Sequence, residues 1–153
     1  MRAYVTIGPP ASGKSTWAAK QSALEINLDE CREQVCGNAA DQSATPAAVA
    51  LRDKLIREAA ENEQDIVLSD TNLNHQFRLL LVAYLLRLGY DVCYVVFDVP
   101  KHQAKAWNKL RDRVVPEHVI DRMHQQMQVV DFALEAENCD IECITISKEK
   151  QGG

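Results

Sequence analysis

The segment Gly8-Pro-Pro-Ala-Ser-Gly-Lys-Ser15 directly follows an apolar run at residues 3–7 and directly precedes a helix-forming stretch at residues 15–21. It has the spacing G-x-x-x-x-G-K-[ST], and strand, glycine-rich turn and helix come in the order that a phosphate-binding loop needs. Gly8 and Gly13 allow the backbone to curl so that successive N–H groups point inward, and the following helix adds the positive end of its dipole. Lys14 then reaches β- and γ-phosphates as a point charge, and the Ser15 hydroxyl suits magnesium, which keeps several waters and bridges the same phosphates. The candidate nucleotide-binding set is therefore Gly8, Ala11, Ser12, Gly13, Lys14, Ser15 and Thr16, with Ser15 as metal ligand. Thr16 also reads as ordinary helix structure. ATP or another nucleoside triphosphate and Mg2+ are the implied cofactors.

Further β-rich runs at residues 65–69 and 91–97 alternate with helical spacing, and weaker strands fit residues 24–27 and 141–146. Such alternation predicts an α/β fold: a five-stranded parallel sheet flanked by helices. Thr45-Pro46 reads as an N-cap followed by proline at the first helical position, opening a helix through about residue 62. Residues 74–88 carry a wide apolar face ending at Gly89, with Asn74 as the better cap candidate. Beyond Pro100 the pattern gives a helix, a break around residues 111–115 and a new helix from Pro116. At 153 residues with 46% hydrophobic positions, the chain suits one domain, residues 1–147, with residues 148–153 as a flexible tail.

Five scattered cysteines without a CxxC pair make a poor disulfide framework or zinc site, which predicts reduced thiols in a cytoplasmic setting. No apolar window is long enough for a membrane span, and no export signal is evident at the start. A net charge of −5 argues against a protein that coats DNA, because such affinity comes from neutralising many phosphates. A small local basic site remains compatible.

The acceptor side must be sought at the ends of the other strands, where α/β proteins bind ligands. Asp29 follows the second strand and Arg32 lies three residues on, so one helical turn presents both from one face. Transfer to a hydroxyl needs a carboxylate to accept the proton and cations around the moving group. Asp29 fits the first role, and Arg32 suits an acceptor phosphate. The local alternative makes Asp29 a helix cap and pairs Arg32 with Glu25 or Glu30. Asp70 ends a buried run and is followed by Thr71-Asn72, which places Asp70 and Asn72 in the candidate acceptor set. Lys105, Lys109, Arg111 and Arg113 gather near the helix break and predict a basic helical lid, whose arginine can stabilise the transferring phosphoryl group. Lys101 and Lys105 also read as a solvated face. The four histidines show no metal-ligand spacing and read as surface or packing residues; Trp17 reads as core, and Trp107 stays open between core and base stacking.

Taken together, Ile7-Gly…Ser12-Gly-Lys-Ser-Thr-Trp17, Ile26-Asn27…Asp29…Arg32, Ser69-Asp-Thr-Asn-Leu-Asn74 and Val96-Phe-Asp-Val-Pro100 resemble the kinase half of the T-even phage polynucleotide kinase family, and the match continues through Asn108, Arg111 and Val115-Pro116. The resemblance implies transfer of the ATP γ-phosphate to the 5′-OH of DNA or RNA in end repair. Lys14 and Ser15 would sit at the triphosphate, Asp29 would act as general base and Arg32 would grip the phosphate on the 3′ side of the acceptor nucleotide. Asp70 would help build the acceptor site and Arg111 would touch the donor phosphates. Single-stranded 5′-OH ends, self-association and a separate phosphatase or ligase are the implied partners. Leu28 stands where the family has an arginine, and no acidic D-x-D-type phosphatase motif occurs, which implies no 3′ end healing. A P-loop kinase of a sugar, nucleoside or antibiotic hydroxyl, a nucleotide-switched binding module, and a noncatalytic subunit are the competing readings.

Overall fold

The computed structural model describes residues 1–112, 114–128, 131–139 and 141–147. Its strands are β1 (Arg2–Ile7), β2 (Leu24–Ile26), β3 (Ile66–Leu68), β4 (Asp91–Asp98) and β5 (Glu142–Ser147). They form one parallel sheet in the order β2-β3-β1-β4-β5. The helices are α1 (Lys14–Ala19), α2 (Leu28–Cys36), α3 (Thr45–Glu61), α4 (His75–Arg87), α5 (Lys101–Asn108), α6 (Glu117–Gln128) and α7 (Phe132–Cys139). Strands alternate with helical crossovers, as parallel pairing requires. Because the chain runs from β1 to the edge strand β2, returns to β3 beside β1, and then continues on the other side of β1 with β4 and β5, a crevice opens at the carboxyl end of β1.

β4 shows why the sheet is covered on both faces. Val92, Tyr94 and Val96 join the larger core beneath α3 and α4, while Cys93, Val95 and Phe97 face the other way, toward Tyr4 and Trp17. This period of two is the pleat of a strand buried on both sides. Trp17 is packed edge-on between Tyr4 and Phe97, with ring centroids 5.5 and 6.2 Å away. That packing anchors α1, and with it the loop before it.

Local chemistry accounts for the boundaries. Asn27 caps α2 by accepting from the Glu30 amide at 2.8 Å, and Asn74 caps α4 by accepting from Phe77 at 3.1 Å. The first finding replaces the cap reading of Asp29. Ala44, not Thr45, occupies the cap position of α3, because the Thr45 hydroxyl accepts instead from Arg32 Nε at 3.2 Å. Gly89, at φ +93°, ends the turn after α4 in the left-handed region that glycine enters without strain.

Helix α7 was not anticipated from the sequence. Its Glu135 is buried and accepts from Arg78 Nε at 2.9 Å, Arg78 Nη2 at 2.5 Å and the Tyr94 hydroxyl at 2.8 Å, and contacts His75 Nδ1 at 2.8 Å. This network pins α7 to α4 and β4, and gives His75 a structural partner. The predicted tail at residues 148–153 and Arg113 of the predicted lid lie outside the described residues. Cys31, Cys36, Cys93 and Cys143 are free thiols. Among the described residues, no helix is long and apolar enough to cross a membrane.

Candidate active site

The loop between β1 and α1 is held from several sides. The Gly8 amide donates to the Thr71 carbonyl at 3.1 Å, and Ser12 Oγ donates to the Pro9 carbonyl at 2.7 Å. A Cβ on Gly8 would lie 2.9 Å from Phe97 Cβ and 2.9 Å from Ser12 Oγ, so close approach to β4 is what demands glycine there. At Gly13 the demand is conformational, with φ at +98°. Ala11 also enters the left-handed region at φ +60°, the kind of backbone alternation from which anion-binding turns are built.

Lys14 is buried, and its Nζ donates to the Pro9 carbonyl at 2.5 Å and lies 3.4 Å from Ser12 Oγ. Burial, followed by the nearby Arg111 guanidinium, pushes its pKa down to about 7, and Asp70 and Asp29 partly oppose that fall. This one ammonium therefore feels Arg111, Asp70 and Asp29, three residues far apart in the sequence. Arg111 Nη1 is buried without a hydrogen-bond partner. A buried guanidinium nitrogen in that state, facing a second cation, calls for an anion between them.

On the other side of the loop, Asp70 Oδ1 accepts from the Leu28 amide at 2.9 Å. Burial raises the Asp70 carboxyl to about 6, against the lowering effect of that hydrogen bond and of Arg52. Asn72, at φ +50°, turns its amide inward, where Nδ2 reaches the carbonyls of Thr6 at 2.8 Å, Asp70 at 3.2 Å and Leu68 at 3.3 Å. Its side chain thus shapes the Asp70 turn from behind. Ser69 and Asn27 add a polar floor, with Ser69 Oγ donating to Glu25 Oε1 at 3.1 Å and Asn27 Nδ2 to Ser69 Oγ at 3.3 Å.

Asp29 and Arg32 share the first turns of α2. Arg32 Nη1 donates to Asp29 Oδ1 at 2.6 Å and to the Ala39 carbonyl at 3.2 Å, so the partner of Arg32 is Asp29 and not Glu25 or Glu30. The guanidinium side chain is 9% exposed and the carboxylate 53%, which leaves a fixed arginine behind an accessible acid.

These parts line one cleft of about 1710 Å³. Glu25, Asn27, Leu28, Asp29, Arg32, Gln42, Ser69 and Asp70 form its β2–β3 half. Trp107, Leu110, Arg111, Val115, Val119 and Met123 form the wall on the α5–α6 side, and Gly13, Lys14, Ser15 and Thr16 lie between. Trp107 borders the cleft, and Trp17 packs with the core as the sequence predicts while also reaching the cleft wall. Gln42 and Glu25 were missed, because nothing in their local spacing distinguishes them from ordinary surface residues.

The residues fit a nucleoside triphosphate with Mg2+. Lys14 and Arg111 converge with one donor unsatisfied, and Ser15 is exposed in the cleft. Among the described residues, no group of three or more His, Cys, Asp or Glu could hold a metal ion by itself. A hydroxyl working with substrate oxygens and water is the arrangement Mg2+ accepts.

Parallel sheet, phosphate loop and arginine-bearing lid together define the P-loop kinase class. Residues 4–130 match the model of a family described as an AAA domain, and the chain belongs to that family. Among solved structures, it superposes on a chain of the Pnkp1/Rnl/Hen1 RNA repair complex with a TM-score of 0.72 and 18% identity, covering 83% of this chain and 44% of that one. A sugar kinase from Janibacter sp. HTCC2649 gives 0.64 and 15% identity, with 96% and 85% covered. A gluconokinase from Sinorhizobium meliloti 1021 gives 0.61 and 14%, with 95% and 82% covered. The chain thus spans less than half the length of the repair-complex chain, and at these identities the likeness establishes the fold.

Proposed function

We propose that the protein is a polynucleotide 5′-hydroxyl kinase that moves the γ-phosphate of ATP to the 5′-OH end of DNA or RNA. The observation that carries this reading is the Asp29–Arg32 pair: an accessible carboxylate, oriented by a nearly buried arginine, on the opposite side of the phosphate loop from the lid. The sequence resemblance at Ser69–Asn74 and Val96–Pro100 supports the polynucleotide acceptor, as does the fold shared with a chain of an RNA repair complex.

In the proposed reaction, Asp29 accepts the proton of the acceptor hydroxyl as its oxygen attacks the γ-phosphorus. The bond from that phosphorus to the β–γ bridging oxygen breaks, and ADP leaves carrying the electron pair. Lys14 and Arg111 offset the charge that builds on the moving phosphoryl group and the leaving diphosphate, in a cleft where burial strengthens their action. Ser15 is the residue that would hold Mg2+, whose chemistry there would be to neutralise charge on the donor phosphates. Arg32 holds Asp29 in place and brings positive charge to the acceptor side. The loop formed by Asp70, Thr71 and Asn72 fixes the distance between the two halves, with Asp70 tied to the start of α2.

The test is transfer of label from γ-labelled ATP to a 5′-OH single-stranded oligonucleotide, with a 5′-phosphorylated oligonucleotide as control and Asp29→Asn as variant. Label on the 5′-OH substrate, lost by about 10²- to 10⁴-fold in the variant, is the expected result. Strong ATP binding without any labelled oligonucleotide would move the assignment to a small-molecule hydroxyl, for which the sugar kinase neighbours offer the first substrates to try.

A further inference from the structure

We infer that Asn108 is the positioning residue for Arg111: its carboxamide locks the lid loop into the shape that aims the arginine at the phosphate loop. The inference rests on the donor role given to Arg111 above. Asn108 is the last residue of α5 and is 1% exposed. Its Nδ2 donates to the Val115 carbonyl at 2.7 Å, and its Oδ1 accepts from the Val115 amide at 3.0 Å. Its own carbonyl accepts from the Arg111 amide at 3.2 Å. One residue therefore grips both ends of the loop and the main chain of the arginine inside it.

The chemistry explains why an amide is needed. A carboxamide presents a donor and an acceptor side by side, matching the N–H and C=O of a single residue of extended chain. An apolar side chain of the same size would remove both partners from Val115, and polar groups out of water are costly to leave unmatched. The loop gains little from apolar burial, because Leu110 is 83% exposed and Val114 56%. Its shape thus depends on the clamp more than on packing.

The flanking helices have their own attachment. Lys105 Nζ reaches Asp121 Oδ1 at 2.9 Å and Lys101 Nζ reaches it at 3.3 Å, joining α5 to α6 independently of Asn108. Releasing the clamp should therefore free the loop without separating the helices. What is lost is pre-orientation: with the clamp, Arg111 reaches the anion without paying to order its loop at the moment of binding.

The experiment is a double-mutant cycle on binding of ATP with Mg2+, read by titration calorimetry with a thermal melt for each variant. Asn108→Leu is expected to weaken binding about tenfold in the native chain and to have almost no effect in an Arg111→Ala background. Asn108→Asp, which keeps the shape and the acceptor but loses the donor, serves if the leucine variant does not fold, and is expected to follow the same pattern. Equal losses in both backgrounds, or no loss in the native chain, would overturn the inference. The titration contains no acceptor, so failure of the polynucleotide assignment leaves it standing; absence of ATP binding by the native chain would remove both.

Discussion

The Leu28 amide donates to Asp70 Oδ1 at 2.9 Å, so the main chain at the start of α2 is tied to the acid at the end of β3. Leu28 thus serves the site through its backbone, which any residue except proline supplies. Asp29, the next residue, inherits its position from that bond.

Replacement of Asp70 by Asn should separate stability from activity. The folded-state pKa of about 6 lies above the usual carboxylate value, so ionising Asp70 costs stability, a cost absent well below the usual value and complete above about 6. Asn keeps an oxygen for the Leu28 amide and carries no charge. Asp70→Asn should therefore melt higher than the native chain at pH 7, lose that advantage by about pH 4, and transfer phosphate poorly. A lower melting temperature at pH 7 would show that the folded chain compensates the buried charge.

Lys14 predicts a proton linkage to donor binding. With a pKa lowered to about 7, the empty site holds it largely neutral at pH 8, whereas a bound triphosphate favours the ammonium. Binding at pH 8 should take up protons, measurable as a dependence of calorimetric enthalpy on buffer ionisation enthalpy. Affinity should fall as pH rises from about 7 toward the usual lysine value. Lys14→Gln should abolish the proton uptake along with most of the affinity.

Arg32→Lys is not a mild change at this site. The guanidinium donates through Nε to Thr45 and through Nη1 to Asp29 and Ala39, a fork that one ammonium cannot reproduce. Transfer to an oligonucleotide should drop about tenfold or more while ATP affinity changes little. Parallel steady-state kinetics and ATP titration separate the two effects.

Glu135→Ala should destabilise the fold by about 3–5 kcal/mol, because it strands the buried Arg78 guanidinium. Burial works to raise the Glu135 carboxyl, and donation from Arg78 and Tyr94 outweighs it, so its pKa lies below the usual value. The linkage sign follows: the pair's contribution is present above the usual glutamate pKa and is lost as pH falls through the depressed one. Urea melts of native and variant chains should therefore converge at low pH.

The central strands were legible because β1, β3 and β4 are apolar, β-branched runs, and the phosphate loop because its chemistry is local; β2, Leu-Glu-Ile, left a weaker signal. Asp29, Asp70 and Arg111 were legible as candidates, since strand ends and a broken helix mark them, and the structure brings them within electrostatic reach of Lys14. Partnerships were less legible. Thr45 looked like a cap from Thr-Pro alone, and only the fold brings Arg32 to its hydroxyl. Asn72 looked like a ligand-facing polar residue, yet its positive φ sends its amide toward three backbone carbonyls. Glu135 lies 57 residues from Arg78, and no periodicity along the chain encodes such a pairing.

The chain contains two tryptophans, and both stand in the cleft wall: Trp17 three residues beyond Lys14, Trp107 on α5, just before the loop of Arg111. Their indoles differ in surroundings, one wedged among Tyr4 and Phe97 and the other beside the loop that bears Arg111. Tryptophan emission, excited selectively over the four tyrosines, therefore originates wholly at this cleft, an optical gauge of what enters there that needs no label.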